Sequence, residues 1–219
     1  MARKAGVVSE ETKSRLLQAA AQEFYSCGYS GSSLRRICQN AQVTTGALYF
    51  FFDGKDDLFE AVISMVTVPI KQKLTAHYAS EQEIMQSPFV NPVPDIEVFI
   101  QQLVNKEDDL EVFHAIIHAY FRNQMLFDIV LRNQAHPAVA KFMEEITAMT
   151  EAQMAKLFQM IQCLYPKREP LDPFGIHWLA RLQIESVLGM ISSGFTEEEA
   201  MFHAQTVLQI LKGGFINLL

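Results

Sequence analysis

Small, hydroxyl-bearing and aromatic side chains follow one another between residues 44 and 50, and their spacing suits contact with double-stranded DNA. Read as a helix, this stretch turns Val43, Leu48 and Phe52 inward. The major groove admits a helix whose leading side chains are small, and threonine and alanine methyl groups can contact a thymine methyl. A tyrosine hydroxyl can reach a phosphate oxygen, which positions a helix without reading sequence. The side chains left pointing outward are Thr45, Gly46, Ala47, Tyr49 and Phe50.

A second short helix is predicted immediately before this one. Ser33 has the side-chain oxygen needed to cap its free N–H groups, and Thr44 can cap the following helix in the same way. Gln42 and Val43 form the turn between them, which gives a helix-turn-helix. An ordinary helical hairpin with Tyr49 half-buried is the alternative that spacing leaves open. The apolar face of the first helix consists of Leu34, Ile37, Cys38 and Ala41.

The region from Gly31 to Leu58 resembles the N-terminal signature of TetR-family transcriptional regulators. The resemblance covers about the first 65 residues and departs from the family at Gln42, where glycine is usual, and at Phe50, where histidine or another polar residue is often found. The matching pieces are Ser33-Leu34 with Ile37, Ala41-x-Val43-Thr44-x-Gly46-x-Leu48-Tyr49, Phe52, and Lys55-Asp56-x-Leu58.

This resemblance implies an all-α fold with two domains. Residues 1–54 would form a three-helix DNA-binding head that contains the helix-turn-helix, and residues 55–219 a larger helical ligand-binding and dimerisation domain. The implied function is a dimeric DNA-binding transcriptional regulator, a repressor that a small, largely apolar ligand releases from a palindromic operator. Lys55 begins a helix, where free N–H groups already favour a phosphate. The implied DNA-binding residues are Ser33, Arg35, Thr44, Thr45, Gly46, Ala47, Tyr49, Phe50 and Lys55.

Charge is distributed unevenly along the 219 residues. The net charge is −7, yet residues 1–55 carry seven lysines and arginines against four acidic residues, so the positive field lies on the segment that would face phosphate. No apolar stretch approaches the ~18 residues of a membrane-spanning helix, and the N-terminus lacks the pattern of a signal peptide. Three scattered cysteines (Cys27, Cys38 and Cys163) indicate reduced, mostly buried thiols in a cytoplasmic protein.

The rest of the chain shows helical periodicity and no alternation typical of strands. Residues 1–8 are predicted to be a loose basic arm, followed by a helix from Ser9 or Glu10 to Gly28. The helix that starts at Lys55 is expected to kink or end at Pro69, and the proline-rich segment 78–94 to be an irregular connection. Further helical patterns cover 95–104, 108–133, 136–163, 172–193 and 196–217.

Large apolar side chains in this second part together permit an adaptable cavity between helices, although for any single one of them a plain bundle core is the better explanation. Regulators that resemble this chain use such a cavity to bind a small molecule. The candidates that combine apolar walls with polar handles are Phe99, His114, His118, Phe121, Met125 and Trp178.

Glu111, His114 and His118 lie on one helical face and form the basis of a different hypothesis, an all-helical metal-binding protein or enzyme. A di-iron site needs a second Glu-x-x-His on a facing helix, and the sequence contains no second copy. Glycine-rich phosphate loops, nucleophile elbows and metal-spaced cysteine pairs are also missing from the sequence. We therefore expect no catalytic residues, no metal and no cofactor.

The last two helices are apolar on more than one side, so that a monomer would expose a large apolar patch. This pattern predicts that they pair with their copies in a homodimer. A dimeric scaffold that has lost DNA binding, with Gln42 and Phe50 as the indication, is a further alternative. The predicted interface residues are Leu179, Val187, Met190, Met201, Leu208, Leu211 and Phe215.

Overall fold

The computed structural model describes residues 2–85, 98, 107–167 and 171–218, and every regular element in these ranges is a helix. The predicted all-α fold is therefore confirmed. The helices are α1 (Ala2–Gly31), α2 (Leu34–Asn40), α3 (Thr45–Phe51), α4 (Lys55–Met85), α5 (Glu107–Arg122), α6 (Gln124–Arg132), α7 (Pro137–Leu164), α8 (Pro173–Ser192) and α9 (Glu197–Leu218).

Packing divides the chain into two compact units. The first unit contains Met1–Pro69 together with Asn123–Phe142, and the second contains Ile70–Arg122 and Met143–Leu219. Helices α4 and α7 each begin in the first unit and continue into the second. These units describe packing, so the assignment of DNA binding to residues 1–54 and of ligand binding and dimerisation to residues 55–219 stays a prediction.

The core of the first unit is built from apolar side chains of its helices. Helix α6 packs against α1 in this unit, a contact that the local sequence pattern does not indicate. Cys27 and Cys163 are exposed, so the prediction of mostly buried thiols holds for Cys38 alone. The fully buried side chains of α1 and α4 include Leu16, Phe24, Leu58, Phe59 and Val62.

Helix α1 differs from its prediction at both ends. It begins at Ala2, so the prediction of a loose arm is wrong for residues 2–8. At Gly28 the backbone has φ 68° and ψ 169°, which breaks the helix before a last short segment that ends at Gly31. The left-handed φ explains why glycine occupies the predicted end of the main helix.

The second unit is a helical bundle in which α5, α8 and α9 pack against one another. Met154, Phe158, Ile161 and Ala180 form a buried cluster between α7 and α8. None of the helices in the described ranges combines the length and apolar character needed to cross a membrane.

Two sequence-based boundaries are corrected. Helix α4 continues past Pro69 to Met85, so the predicted irregular connection does not begin at residue 78. The pattern over 108–133 is two helices separated at Asn123. The rest of the proline-rich segment, and the pattern over 95–104 except residue 98, lie outside the described residues.

Candidate nucleic-acid interface

The turn between α2 and α3 is closed by two backbone hydrogen bonds. The Gln42 N–H donates to the Gln39 carbonyl (3.1 Å) and the Val43 N–H to the Cys38 carbonyl (2.9 Å), which is the Schellman arrangement at a helix end. This arrangement places Gln42 at φ 56°, in the left-handed region that glycine normally occupies. Gln42 therefore adopts the backbone conformation that glycine usually adopts at this position, and its left-handed φ strains the backbone.

Helix α3 presents one continuous exposed face. Leu48 is completely buried and Phe52 nearly so, as the inward prediction requires, whereas Tyr49 is 59% and Phe50 77% exposed. Thr45 and Gly46 are exposed as well, and Ala47 is half-buried. At 100° per residue, residues 45, 49, 46 and 50 occupy about 140° of the circumference. The face that we assigned to DNA is thus open, and the hairpin with a half-buried Tyr49 is not what the chain forms.

The two predicted helix caps have different outcomes. Thr44 caps α3, because its hydroxyl accepts the Ala47 N–H at 3.1 Å. Ser33 precedes α2 without a side-chain cap, so that prediction is wrong. The Ser33 N–H donates instead to Oε1 of Glu23 at 2.9 Å. A carboxylate from α1 satisfies the backbone at the start of α2, and no local pattern around Ser33 reveals it.

Glu23 also separates the roles of two adjacent arginines. Its buried carboxylate accepts a 2.7 Å hydrogen bond from Nε of Arg36, and this bond lowers the pKa of Glu23 below its ordinary value. Arg36 donates a further bond to the Gly31 carbonyl. Arg35 is exposed and makes no hydrogen bond or ion pair with any residue in the described ranges. Arg36 is therefore committed to the fold, while Arg35 is available for phosphate.

Lys55 lies at the junction of α1, α2 and α4. Its Nζ donates to the carbonyls of Ser32 (3.0 Å) and Ser30 (3.4 Å) and lies 4.6 Å from the ring centroid of Tyr29. These contacts hold the backbone just before α2. Lys55 is half-buried, so its ammonium group positions the helix-turn-helix in this structure.

His136, at the start of α7, is a residue that sequence reasoning missed. Its ring contacts Tyr29 (4.4 Å between centroids) and Phe59 (4.3 Å), and its Nε2 lies 3.3 Å from Oδ1 of Asp56. Its Nδ1 accepts the Ala138 N–H at 3.2 Å and thereby caps α7. A histidine just before a helix-starting proline was the only local signal. The aromatic partners come from elements far away in sequence.

The predicted ligand-binding residues do not form one group. His114 is half-buried, and its buried Nε2 has no hydrogen-bond partner among the residues that the structure describes. His118 is paired with Glu197, and Trp178 is 56% exposed beside Phe174. The half-buried Phe121 belongs to the second unit and the half-buried Met125 to the first, whereas Phe99 lies outside the described residues.

Glu111, His114 and His118 do not form a metal site in this structure. In the ranges that the structure describes, no group of three or more histidines, cysteines or acidic residues could hold a metal ion. Glu111 is exposed and His118 is engaged by Glu197 across to α9. The alternative of a metal-binding protein or enzyme therefore receives no support from the geometry.

The predicted dimer residues lie mostly inside the second unit. Met190 and Leu208 are buried within the protomer, and Leu179, Val187, Met201 and Leu211 are half-buried. The side chain of Phe215 lies outside the described residues. Both helices nevertheless expose large apolar side chains on another side. These are Phe174, Trp178 and Leu182 on α8, and Phe202 and Ile210 on α9.

Comparison with known proteins supports the same reading of the first helices. Residues 16–62 match the family model described as bacterial regulatory proteins, tetR family. Over 82 residues the chain is 35% identical to the HTH-type transcriptional regulator SrpR of Pseudomonas putida, which is 37% of this chain and 38% of SrpR. The chain therefore covers less than half of that relative.

Two further comparisons extend over most of the chain. The HTH-type transcriptional repressor BepR of Brucella suis biovar 1 is 29% identical over 190 residues, which cover 86% of this chain and 80% of BepR. The solved structure of a SmeT–triclosan complex has a TM-score of 0.60 at 21% identity and covers 93% of this chain and 90% of the SmeT chain. At that identity the structural likeness establishes the fold alone.

Proposed function

Because this chain belongs to the TetR family of bacterial regulatory proteins, we propose that it is a dimeric transcriptional repressor that binds a palindromic operator and is released from it by a small, largely apolar ligand. Two α3 helices related by a twofold axis would enter successive major grooves about 34–36 Å apart. Repression is supported by BepR, a transcriptional repressor that aligns with most of this chain.

The exposed face of α3 carries this proposal. Gly46 supports it, because a Cβ built there would meet only Oγ1 of Thr44, at 3.8 Å. No contact within the described part of the chain requires a glycine at this position, although glycine costs a helix about 1 kcal/mol relative to alanine. A close approach between the backbone of α3 and bound DNA explains why glycine occurs here.

The adjacent arginines provide the test. We expect Arg35→Ala to weaken binding to all duplexes and to reduce the slope of log affinity against log salt by about 0.9, because one phosphate contact is lost. The matched Arg36→Ala removes the Glu23 bond, so it should lower the melting temperature. Binding is measured by fluorescence anisotropy with duplexes that the full chain selects from a random pool. Failure to enrich any duplex would contradict DNA binding and favour the scaffold that has lost this activity.

Tyr49 and Lys55 are expected to act differently from each other. Tyr49→Phe should weaken binding to all sequences, since its exposed hydroxyl is placed to reach a phosphate. Lys55→Ala should also weaken binding to all sequences. The cause is either the loss of a phosphate contact or the loss of the hydrogen bonds to the Ser30 and Ser32 carbonyls. A salt slope that falls by ~1 identifies the contact, and an unchanged slope identifies positioning.

We place the ligand site in the second unit, with His114 as its polar anchor. A buried nitrogen without a partner is unfavourable by about 1–3 kcal/mol, and a hydrogen-bonding ligand would relieve this cost. Triclosan, an apolar compound with one hydroxyl and the molecule in the SmeT complex, is a suitable first probe. We expect it to release the selected duplex from the wild type and to act at least tenfold more weakly on His114→Leu. Equal release of both proteins would exclude His114 as the anchor.

Dimerisation is proposed through the exposed apolar faces of α8 and α9. Phe174, Trp178 and Leu182 recur every four residues, so they share one side of α8. Burial of such side chains against a second copy would remove an exposed apolar patch. Leu182→Glu and Ile210→Glu should shift sedimentation from dimer to monomer. A wild type that sediments as a monomer at micromolar concentration would contradict the proposal.

A further inference from the structure

The DNA-facing surface of α3 has an unusual chemical composition. Its exposed residues are Thr45, Gly46, Tyr49 and Phe50, and the whole helix contains no charged or amide side chain. Arginine and lysine read guanine, asparagine and glutamine read adenine, and acidic residues read cytosine, all by hydrogen bonds to base edges. The exposed side chains of α3 include none of these. This helix can therefore distinguish bases only through the hydroxyls of Thr45 and Tyr49 and through apolar contact.

Phe50 is the side chain that can supply the apolar contact. At 77% it is the most exposed large apolar side chain of the described residues, although it lies on the same face as Thr45 and Tyr49. Its ring packs edge-on against Phe51 at 5.0 Å between centroids, which fixes its direction, and Phe51 is half-buried. An aromatic ring that the fold orients and leaves in water is suited to bury apolar surface against a partner.

Gly46 precedes Phe50 by four residues, so the two lie close together on the helix surface. With hydrogen in place of a side chain at Gly46, the backbone of α3 can approach the floor of the groove. A ring beside that gap then reaches the base edges. The only apolar group that bases expose in the major groove of ordinary DNA is the C5-methyl of thymine.

We propose that Phe50 is a specificity-determining residue that reads a thymine methyl group in each operator half-site. This inference rests on the proposed DNA binding and adds the chemistry by which α3 selects its sequence. Burial of one methyl group corresponds to about a fourfold change in affinity. Thymine-dependent binding should disappear when the ring is removed.

The test uses a duplex that the full chain selects from a random pool. Each thymine is replaced in turn by deoxyuridine, which keeps the pairing and the O4 acceptor but lacks the methyl group. We expect a loss of about fourfold at one or two positions of each half-site. Duplexes with cytosine at the same positions should bind the protein more weakly than duplexes with 5-methylcytosine, by a similar factor, because only 5-methylcytosine carries the methyl group.

Two variants of Phe50 complete the experiment. Phe50→Ala should bind the thymine and deoxyuridine duplexes equally, with its melting temperature close to that of the wild type because the ring is exposed. Phe50→Leu retains an apolar group and should recover part of the discrimination. If the wild type binds the selected duplex but ignores every thymine replacement, or if Phe50→Ala still discriminates, the inference is wrong while DNA binding stands. Failure to select any duplex would contradict both.

Discussion

The hydroxyl of Tyr29, near the end of α1, donates a 2.5 Å hydrogen bond to Oδ1 of Asp56, in the first turn of α4. Burial and this bond raise the pKa of Tyr29 to about 12. The same bond lowers the pKa of the Asp56 carboxyl. The ammonium group of Lys55 also lies over the Tyr29 ring, and the imidazole of His136 packs against Tyr29 edge to face. The pair thus joins α1, α4 and the residue that precedes α7.

The raised pKa of Tyr29 predicts a loss of stability in alkaline solution. A neutral phenol is favoured in the folded state, so the stabilisation is complete below the ordinary pKa of 10.0 and is lost as pH rises towards about 12. We expect the melting temperature to fall less between pH 9 and pH 11.5 in Tyr29→Phe than in the wild type. Tyr25→Phe, on the same helix, is the control and should follow the wild type. Identical curves for all three proteins would contradict the prediction.

Glu23 provides the corresponding prediction in acid. Glu23→Gln removes the charge from the acceptor shared by Ser33 and Arg36, and should destabilise the protein by about 1–2 kcal/mol at pH 7. Because the pKa of Glu23 is lowered, its contribution is present above the ordinary value of 4.5 and is lost as pH falls through the folded-state pKa. Thermal melts of the two proteins should therefore converge as the pH falls below 4.5 and through the lowered pKa of Glu23.

The exposed pair Arg181–Glu185 is the control for this experiment. It joins the same chemical groups at 2.6 Å, but both side chains are more than half exposed. Such i,i+4 pairs contribute about 0.3–0.5 kcal/mol. Glu185→Gln should therefore leave the melting temperature within about one or two degrees of the wild type. A larger effect at Glu185 than at Glu23 would show that burial does not decide the strength of these pairs here.

The parts of the site that the sequence predicts are those that depend on local spacing. The inward Leu48, the outward Tyr49 and the Thr44 cap follow from helical periodicity and capping chemistry within a few residues. The failures involve partners from elsewhere in the chain. Glu23 replaces the Ser33 cap from ten positions upstream, and α6 with His136 packs in the first unit from beyond residue 120. A pattern read locally contains no information about such contacts.

The dimer residues illustrate a second limit. Helices α8 and α9 are apolar on several sides, and periodicity cannot decide which side the protomer itself covers. The stripe chosen from the sequence contains Met190 and Leu208, which the protomer buries, whereas Trp178 and Phe202 lie off it and are exposed. The two helices themselves are confirmed, whereas the side that they expose became visible only from packing, and their role in a dimer interface stays a prediction.

Replacement by glycine should change the stability of the protein in opposite directions at Gln42, in the strained turn, and at Gln39, within a helix. Gln42 has φ 56°, so Gln42→Gly should stabilise the protein by about 1 kcal/mol through relief of a left-handed conformation. Gln39 lies within α2, so Gln39→Gly should destabilise it by about 1 kcal/mol. Thermal denaturation of both variants provides the measurement. Stabilisation by both substitutions, or by neither, would show that the turn is not strained as described.

Gly46 connects the stability of α3 to its function, and the two effects of one methyl group should oppose each other. Gly46→Ala adds a Cβ that meets only Oγ1 of Thr44, so the folded protein should gain about 0.5–1 kcal/mol. The same methyl group lies on the DNA-facing surface and should weaken binding of the selected duplex about tenfold or more, because it obstructs a close backbone approach. Gly31→Ala is the control: its Cβ would lie 3.7 Å from that of Cys27, and it should leave DNA affinity within about twofold. A Gly46→Ala protein that is more stable and binds DNA as well as the wild type would exclude close approach at this position.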